Sequence, residues 1–245
     1  MAAVAAVSIV CKAPRAGASK TRLRPLLGPG GAAALSACFI HDVAAAVGAL
    51  PADLGWKGYA IYAPAGSEAA LRPLLPTDWG LVCREDADFG AVLFSSISDF
   101  LADGHDCALV INSDSPTLPS RLVALAIESL RAPGDRLILG PATDGGYYLV
   151  GLKRPHARLF EAVRWSTPEV LPTTLDRAAE IGLPVTLLPT WYDIDDAETF
   201  GLLEAEIAGR PLPFAEPGLA GGPAIHTRAF LDSRAMGLRT GTDGG

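Results

Sequence analysis

Positively charged side chains are concentrated in one loop near the start of the chain. Four of them lie between positions 12 and 22, namely Lys12, Arg15, Lys20 and Arg22, with a glycine and prolines nearby. Lys and Arg heads and the backbone N–H groups of a glycine-containing turn can together replace the water around a phosphate. The loop therefore predicts a phosphate site, although a solvated surface loop has the same composition. It is not a P-loop, because Ser19 stands where the second glycine of that pattern is needed.

One aspartate stands just beyond an apolar run. Asp114 follows the run from Ala108 to Ile111, in the sequence Asn112-Ser113-Asp114-Ser115-Pro116. Mg²⁺ and Mn²⁺ keep several waters and need only one or two protein carboxylates beside substrate phosphates, so a carboxylate at such a strand end can hold either ion. A helix cap or an Asx-turn ahead of Pro116 is the structural alternative.

A second group of carboxylates lies near the end of the sheet region. Asp193, Asp195 and Asp196 fall within four residues. Two such charges repel each other by roughly 4 kcal/mol at 4 Å with an effective dielectric of 20, and a bound divalent cation would relieve this repulsion. The structural alternative is a capping box, in which Asp195 and Glu198 open the last helix of the pattern, or a cap at Asp196.

Another carboxylate precedes two glycines and two tyrosines, in the segment Asp144-Gly145-Gly146-Tyr147-Tyr148. Asp-Gly between two apolar runs predicts a β-hairpin. The hairpin does not account for the second glycine and the tyrosines. Glycines let the backbone approach a ligand closely, while a ring or hydroxyl packs beside it.

The segment Trp165-Ser166-Thr167-Pro168-Glu169 has the pattern of a helix start. Ser166 or Thr167 would be the N-cap, with the proline in the first turn. This interpretation assigns the hydroxyls to capping and Trp165 to the core.

The elements between these positions predict an α/β fold with a mostly parallel sheet and helices on both faces. Apolar runs typical of doubly buried strands are 6–10, 59–62, 80–83, 108–111, 137–139, 148–152 and 185–188. Stretches with helical spacing are 32–47, 68–74, 90–101, 121–130, 168–181 and 197–207. Ligands of such sheets bind beyond the carboxyl ends of the strands, which is where the polar segments above lie.

Composition places the chain among globular proteins. Of its 245 residues, 49% are hydrophobic and 19% charged, which excludes disorder as the main state. We expect one domain over residues 1–209 and a Gly- and Pro-rich arm over residues 210–245 that forms no regular element. The net charge of -7 argues against nucleic acid as a partner.

Cysteine and histidine usage argues against metal-bound thiols and zinc hydrolysis. The cysteines, Cys11, Cys38, Cys83 and Cys107, form no C-x-x-C pair, and the four histidines share no ligand spacing. The lack of a G-x-S-x-G elbow argues against a serine hydrolase. The first ten residues predict a strand rather than a signal peptide. No apolar run approaches the roughly 18 to 20 residues of a membrane span, so we expect a cytoplasmic protein without a membrane partner, and the oligomeric state stays open.

Five motifs, taken together, resemble one family. They are K-x-P-x-x-G-x-x-K-T-R-L from Lys12, S-D-S-P-T-L from Ser113, G-P-A-T-D-G-G-Y-Y-L-V-G-L from Gly140, W-S-T from Trp165 and D-I-D-D from Asp193. Over about residues 4 to 207 the chain resembles bacterial glycosyltransferase-like proteins with the GT-A, nucleotide-diphospho-sugar transferase fold, a Rossmann-like fold. Some of them are called arsenosugar-biosynthesis glycosyltransferases. The chain is also similar, more distantly, to phospholactate guanylyltransferase and to molybdenum-cofactor nucleotidyltransferases.

The resemblance implies a nucleotide bound over the first half of the sheet and a metal ion, Mg²⁺ or Mn²⁺, held by Asp114 and Asp195. The positions that it assigns to nucleotide binding are Lys12, Pro14, Gly17, Lys20, Arg22 and Ser113. The positions for the rest of the substrate are Gly145, Gly146, Tyr147, Trp165, Ser166 and Thr167.

Two positions depart from the family pattern. Family members usually carry a glutamine and an L-G-x-R-M segment near the third helix, and the segment from Arg84 to Leu93 lacks that motif. The motif after the fourth strand is commonly Gly-x-Asp-x-Pro, and Asn112 replaces its glycine. Both departures bear on the acceptor pocket more than on the fold.

The leading functional hypothesis is a metal-dependent glycosyltransferase that moves a sugar from a nucleoside diphosphate sugar to a small acceptor. The metal, Lys20 and Arg22 would stabilise the departing diphosphate, and Asp144 is the candidate general base or sugar-hydroxyl contact. The alternatives are a nucleotidyltransferase, which uses a nucleoside triphosphate and releases pyrophosphate, and a non-catalytic nucleotide-binding protein.

Overall fold

The computed structural model describes residues 3–86 and 88–240 of the chain. Across these residues a seven-stranded sheet has the strand order β3-β2-β1-β4-β6-β5-β7. The strands are β1 (Ala5–Lys12), β2 (Trp56–Ala63), β3 (Gly80–Cys83), β4 (Ala108–Asn112), β5 (Leu137–Pro141), β6 (Tyr147–Leu152) and β7 (Val185–Leu187). Each strand coincides, within a few residues, with an apolar run of the sequence.

The sheet is parallel except for β6. Strand β1 pairs in parallel with β2 and β4, and β5 pairs in parallel with β7. Strand β6 lies antiparallel between β4 and β5, because the Asp-Gly turn returns the chain directly as a hairpin. The carboxyl ends of the parallel strands therefore meet at one edge, and the predicted mostly parallel α/β sheet is confirmed.

Helices cover both faces of the sheet in the described part of the chain. They are α1 (Arg24–Gly48), α2 (Glu68–Leu71), α3 (Phe89–Ala102), α4 (Ser120–Arg131), α5 (Val170–Glu180), α6 (Ala197–Ile207) and α7 (Ile225–Thr240). Buried side chains of α1, α4 and α6 form a core with one face, and those of α3 and α5 form a second core with the other. The alternation of strands and helices places an apolar layer on each side of the sheet.

A glycine interrupts the first helix near its start. Gly28 has φ 68° and ψ 168°, a conformation that is essentially restricted to glycine, and Pro29 begins the longer part of the helix. The turn before the break, residues 24–27, follows a 3₁₀ turn at Thr21–Leu23. This short segment directly extends the cationic loop.

The expectation that residues 210–245 form no regular element is wrong for α7. The prolines of this region end at Pro223, and from Ile225 to Thr240 there is no proline, so the backbone can continue as a helix. The buried carboxylate of Asp42 on α1 accepts hydrogen bonds from the N–H groups of His226 and Thr227, at 3.0 and 2.8 Å, and so caps the helix. Residues 241–245 lie outside the described residues.

The stretch Thr21–Gly48 is long and apolar enough to cross a membrane by length and composition, which the expectation from uninterrupted apolar runs did not anticipate. Half of its most apolar window is buried inside the protein. Leu35, Phe39 and Val43 of this stretch pack into the core on one face of the sheet. A helix packed in the core of a protein has apolar surroundings, as a membrane-spanning helix does, so its composition is similarly apolar.

The four cysteines are all free thiols, as expected. Cys11 and Cys107 are buried, whereas Cys38 and Cys83 are only partly buried.

Candidate active site

A cleft of about 880 Å³ opens along the carboxyl edge of the sheet. Its walls are formed by the ends of β1, β2 and β4, by the loop of the β5–β6 hairpin and by the segment before α6. A parallel sheet brings these chain segments together because its strands all end at the same edge. Residues far apart in the sequence therefore share one cavity.

The cationic loop forms one wall of this cleft. A turn closes where the N–H groups of Ala18 and Ser19 donate to the carbonyl of Arg15, with Gly17 at φ 81°. Lys20 follows in a left-handed conformation, with φ 44°, which is uncommon for a residue with a Cβ. Such a backbone persists where surrounding contacts hold it.

The contacts that hold Lys20 are two ion pairs. Its ammonium Nζ lies 2.9 Å from Oδ1 of Asp114 and 2.8 Å from Oδ1 of Asp195. The lysine side chain is only 7% exposed, while the two carboxylates are 37% and 44% exposed and stay accessible from the cleft. The ring of Phe39 lies 5.7 Å from Nζ. A buried cation thus joins the two aspartates that the sequence assigned to a metal.

Burial and charge act in opposite directions on Lys20. Burial by itself lowers the pKa of the lysine, but the charges and hydrogen bonds of Asp114 and Asp195 outweigh it and raise the pKa above its usual value. The ammonium is therefore retained at neutral pH.

A third carboxyl group of the same cluster, that of Asp193, keeps its proton to a higher pH than a free aspartate does. Burial, and then the charges of Asp144, Asp195 and Asp114, raise the pKa of Asp193 to about 7. Four aspartates are therefore close enough to interact, and the buried lysine pairs with two of them, Asp114 and Asp195. The structure shows an acidic pocket beside a cationic loop, and this arrangement suits a ligand that includes both a phosphate and a cation.

Hydrogen bonds from the backbone fix the aspartates. The N–H of Asp114 donates to Oδ1 of Asn112 at 3.2 Å, so the Asx-turn belongs to Asn112, and Asp114 forms no cap. The carbonyl of Asp114 accepts from the N–H of Ile194 at 3.0 Å, which ties the segment after β4 to the segment before α6. The capping box lies one residue later than expected, because Asp196, with Thr199 rather than Glu198, opens α6. Asp195 is thereby left for the cleft.

The hairpin loop presents Asp144 at the cleft. Its Oδ1 accepts the N–H of Gly146 at 2.8 Å, which fixes the orientation of the carboxylate. Gly145 has φ 91°, and a Cβ there would lie 2.5 Å from the carbonyl oxygen of Pro168. The loop can pack this tightly against the turn before α5 only because position 145 has no side chain.

That turn is not the helix cap expected from the sequence. Helix α5 begins at Val170, and neither Ser166 nor Thr167 caps it. Ser166 has φ 61°, and the hydroxyl of Thr167 donates to the carbonyl of Arg164 at 2.7 Å. The hydroxyl of Thr167 therefore stabilises a separate turn that precedes the helix.

Aromatic rings line the cleft beside this turn. The indole of Trp165 is edge-on to the rings of Phe89, at 5.1 Å, and Tyr147, at 6.4 Å, between ring centroids. Trp165 is only partly buried and faces the cavity, so its assignment to the core was incomplete. Aromatic faces and edges of this kind can pack against a ring of a ligand.

Most of the positions selected from the sequence line this cleft. They are Lys12, Lys20, Arg22, Ser113, Asp114, Asp144, Gly146, Tyr147, Trp165, Ser166, Thr167 and Asp195. Pro14, Gly17 and Gly145 do not line it. The two glycines instead have positive φ, and their place is in the turns that support the cleft.

Sequence reasoning missed several residues of the cavity. Asp193 was noted only as part of an acidic run, although its burial raises the pKa of its carboxyl group to about 7. Phe89, Tyr62 and Arg84 also line the cleft and follow or end strands that carry no motif. Tyr62 lies near the end of β2, and Arg84 and Phe89 follow β3. This position at the carboxyl edge of a parallel sheet was the signal that could have indicated them.

The aspartates around Lys20 fit a divalent cation in part. Asp114 and Asp195 offer hard carboxylate oxygens that are open to the cleft, and the acidic cluster has more negative charge than Lys20 balances. Among residues 3–86 and 88–240, no group of three or more His, Cys, Asp or Glu side chains is arranged to hold a metal ion. A cation at this place would need further oxygens from a substrate phosphate.

The strand order and the cleft at its carboxyl edge define a protein of the nucleotide-diphospho-sugar transferase fold, the class that the sequence motifs predicted. Residues 46–167 match the model of the family DUF2064, described as an uncharacterized protein conserved in bacteria. A comparison with curated proteins gave no match.

Solved structures share the fold over most of the chain. A protein from Desulfovibrio desulfuricans G20, described as a candidate nucleotide-diphospho-sugar transferase, has a TM-score of 0.80 and 24% identity, covering 96% of this chain and 97% of that one. A CMP:2-keto-3-deoxy-manno-octonic acid synthetase complexed with CTP has a TM-score of 0.53 and 13% identity, with 84% and 98% covered. A cytidylyltransferase from Leptospira borgpetersenii has a TM-score of 0.53 and 11% identity, with 95% of each chain covered.

Proposed function

We propose that the protein is a metal-dependent transferase that moves a sugar from a nucleoside diphosphate sugar to a small acceptor. One observation carries this proposal: Lys20, Asp114 and Asp195 meet in a single cleft, with bonds of 2.8 and 2.9 Å. A cationic loop on one side and acids on the other are what a diphosphate with its cation requires.

The leaving diphosphate is the first requirement of the reaction. Lys12, Lys20 and Arg22 lie along one wall of the cleft, and cations placed there stabilise negative charge as it develops on the departing phosphate oxygen. When bound by Asp114 and Asp195, Mg²⁺ or Mn²⁺ would add Lewis-acid stabilisation of the same charge.

The acceptor needs a base on the opposite side. The bond between the sugar C1 and the diphosphate oxygen breaks, a bond from the acceptor oxygen to C1 forms, and Asp144 takes the proton of the acceptor hydroxyl. The bond from Gly146 N–H orients this carboxylate, and Asp144 lies near enough to Asp193 to raise its pKa. Tyr147, Trp165, Ser166 and Thr167 line the same cleft and are available to the sugar or the acceptor.

Nucleotidyl transfer is the second candidate function. It is favoured by the shared fold with two cytidylyltransferase-type structures at a TM-score of 0.53, one of them complexed with CTP. In this reaction an acceptor phosphate oxygen attacks the α-phosphorus of a nucleoside triphosphate, and pyrophosphate leaves. The same cationic wall would receive the pyrophosphate.

The test begins with a thermal-shift screen of nucleoside diphosphates, nucleoside triphosphates and nucleotide sugars, with and without Mn²⁺. A ligand that binds only the native state raises the melting temperature. We expect a shift that requires both a nucleotide and Mn²⁺, and its absence across the panel would contradict the proposal.

Two variants and a matched control locate the site. Asp114→Asn and Asp195→Asn should each abolish the Mn²⁺-dependent part of the shift. Asp196→Asn removes the neighbouring charge but keeps an N-cap of equal quality, so it should leave the shift in place. An unchanged shift in Asp114→Asn removes Asp114 from the metal site.

Product analysis separates the remaining candidates. Free nucleoside diphosphate from a sugar donor supports glycosyl transfer, and pyrophosphate from a nucleoside triphosphate supports nucleotidyl transfer. Binding without any product from a broad panel of donors and acceptors supports a non-catalytic nucleotide-binding protein.

A further inference from the structure

Lys20 lies in a short segment that a break separates from the long part of α1. We call residues 20–27 the Lys20 segment: it contains Lys20, the 3₁₀ turn Thr21–Leu23 and the first turn of α1. Gly28, at φ 68° and ψ 168°, breaks the helix immediately after it. Lys20 and Arg22 therefore do not lie on the continuous long part of α1, which starts beyond the break and approaches Lys20 through the ring of Phe39.

The C-terminal helix holds this segment from outside. The guanidinium of Arg234 on α7 donates through Nη2 to the carbonyl of Leu26, at 3.0 Å. Leu26 lies in the turn just before Gly28, where a backbone carbonyl has no regular helix continuing past it. Leu23, fully buried, anchors the same segment in the core. Arg234 is thus a second attachment point of the Lys20 segment.

The same guanidinium also contacts α6. Its Nη1 lies 3.9 Å from Oε1 of Glu204, and its carbon lies 5.8 Å from the centre of the Phe200 ring. Helix α6 starts two residues after Asp195. Arg234 therefore contacts both the Lys20 segment and α6. Lys20 begins the first of these elements, and its ion-pair partner Asp195 lies just before the second.

We propose that Arg234 is a positioning residue, which sets the Lys20 segment against α6 and thereby places Lys20 and Arg22 in the cleft. The expected effect of Arg234 on ligand binding rests on the proposed function, whereas its expected effect on the Lys20 segment does not. The C-terminal helix is, on this proposal, a working part of the site rather than an appended arm.

Other contacts keep α7 docked when Arg234 is changed. Asp42 caps the start of α7, and the rings of His41 and His226 stack at 4.3 Å. Arg228 donates to the carbonyls of Ile207, at 3.0 Å, and Pro223, at 2.7 Å. Arg228 is therefore a matched control: it lies on the same helix and bonds backbone carbonyls, but it does not contact the Lys20 segment.

The primary experiment is hydrogen exchange of the full-length chain without ligand. In Arg234→Met, exchange of amides in residues 20–27 should rise by about tenfold, the effect of losing one hydrogen bond from a charged donor. Arg228→Met should leave exchange in residues 20–27 at the wild-type rate. Arg234→Lys, which keeps the charge and one donor toward Leu26, should restore part of the protection.

Two exchange results would overturn the proposal. One is wild-type protection of residues 20–27 in Arg234→Met. The other is an equal loss in Arg228→Met, which would show that docking of the whole helix, and not Arg234, protects the segment.

The consequence for the site is measured with Mn²⁺ and inorganic pyrophosphate, a probe that needs neither base nor sugar. Calorimetry should show binding weakened about tenfold in Arg234→Met and unchanged in Arg228→Met. If exchange in residues 20–27 is faster but the affinity for Mn²⁺ and pyrophosphate is unchanged, Arg234 has no effect on the site, and that part of the proposal is overturned. If wild-type protein binds no pyrophosphate while the exchange result holds, the proposed function fails and the positioning of the segment stands.

Discussion

Lys20 is the buried cation at the centre of the cleft. Its buried ammonium lies between Asp114 and Asp195, close to where a divalent cation held by the same carboxylates would have to bind. A metal bound there would therefore compete with the lysine for the same oxygens, and the lysine ammonium balances part of the charge of the acidic cluster. This competition gives a measurement that does not require a known substrate.

We expect Lys20→Met to tighten the binding of Mn²⁺ alone by roughly tenfold, because removal of a positive charge about 3 Å from both carboxylates leaves their attraction for the metal unopposed. The affinity is measured by electron paramagnetic resonance of free Mn²⁺. Lys57→Met is the control, since Lys57 is at the other end of β2, beside Tyr59, and makes the same change in net charge. Equal or weaker Mn²⁺ binding in Lys20→Met would place the metal elsewhere.

At the scale of elements, the junction of α1 and α7 combines a helix cap with a ring stack. The carboxylate of Asp42 accepts two N–H groups of α7, and the His41 and His226 rings stack at 4.3 Å with 15° between their planes. Burial lowers the pKa of His41, the charge of His226 lowers it further, and the charge of Asp42 acts in the opposite direction. We therefore expect this junction to be sensitive to acid.

The sign of this effect follows from linkage. Because the pKa of His41 is lower in the folded protein than its unfolded value near 6.5, the folded state binds fewer protons. Its contribution to stability is present above that value and is lost as the pH falls through the folded-state pKa. We expect His41→Gln to flatten the decline in the free energy of unfolding as the pH falls below about 6.5, measured by urea titration.

The matched variant is His226→Gln, which removes the neighbouring ring but leaves His41. It should reduce the pH dependence less than His41→Gln does, since burial, the larger cause, is retained. Identical pH profiles for wild type and His41→Gln would show that this stack has no part in the acid sensitivity.

At the scale of the whole molecule, one sheet carries two cores. Leu122 and Leu130 of α4 belong to the core on one face, and Leu93 and Ile97 of α3 belong to the core on the other. Each strand of the sheet contributes to both cores or lies beside one that does, so neither core can form without the sheet. Cooperative unfolding of both is expected for such an arrangement.

We predict that Leu93→Ala and Leu122→Ala each lower stability by about 2 to 5 kcal/mol, the range for buried leucines, and that each shifts one and the same thermal transition. Calorimetry measures this directly. Leu125→Ala, on the exposed side of α4, is the control and should change stability by about 0.5 kcal/mol or less. Two separated transitions in either core variant would show that the faces unfold independently.

Much of the fold was predictable because its signals are local. The run from Ala108 to Ile111 becomes β4, and the Asp144-Gly145 pair becomes the turn of the β5–β6 hairpin. Residue type and spacing determine such elements through the φ and ψ values that nearby residues allow and the faces that they bury. The same local reasoning failed at Thr167, whose hydroxyl bonds the carbonyl of Arg164 in a turn before α5, and at Ile225–Thr240, where Asp42 of the distant helix α1 caps the helix.

The sequence by itself determined the order of strands and helices, the resemblance to a fold class, and which segments end at the edge of the sheet. The tertiary structure decided that Lys20 reaches Asp195, 175 residues away, that Asp193 is buried among other carboxylates, and that Arg234 reaches Leu26. Local backbone preferences and hydrophobic spacing are properties of neighbouring residues. The pairing of distant charges depends on which strands lie next to each other in the sheet. Only the folded chain brings those charges within hydrogen-bonding distance.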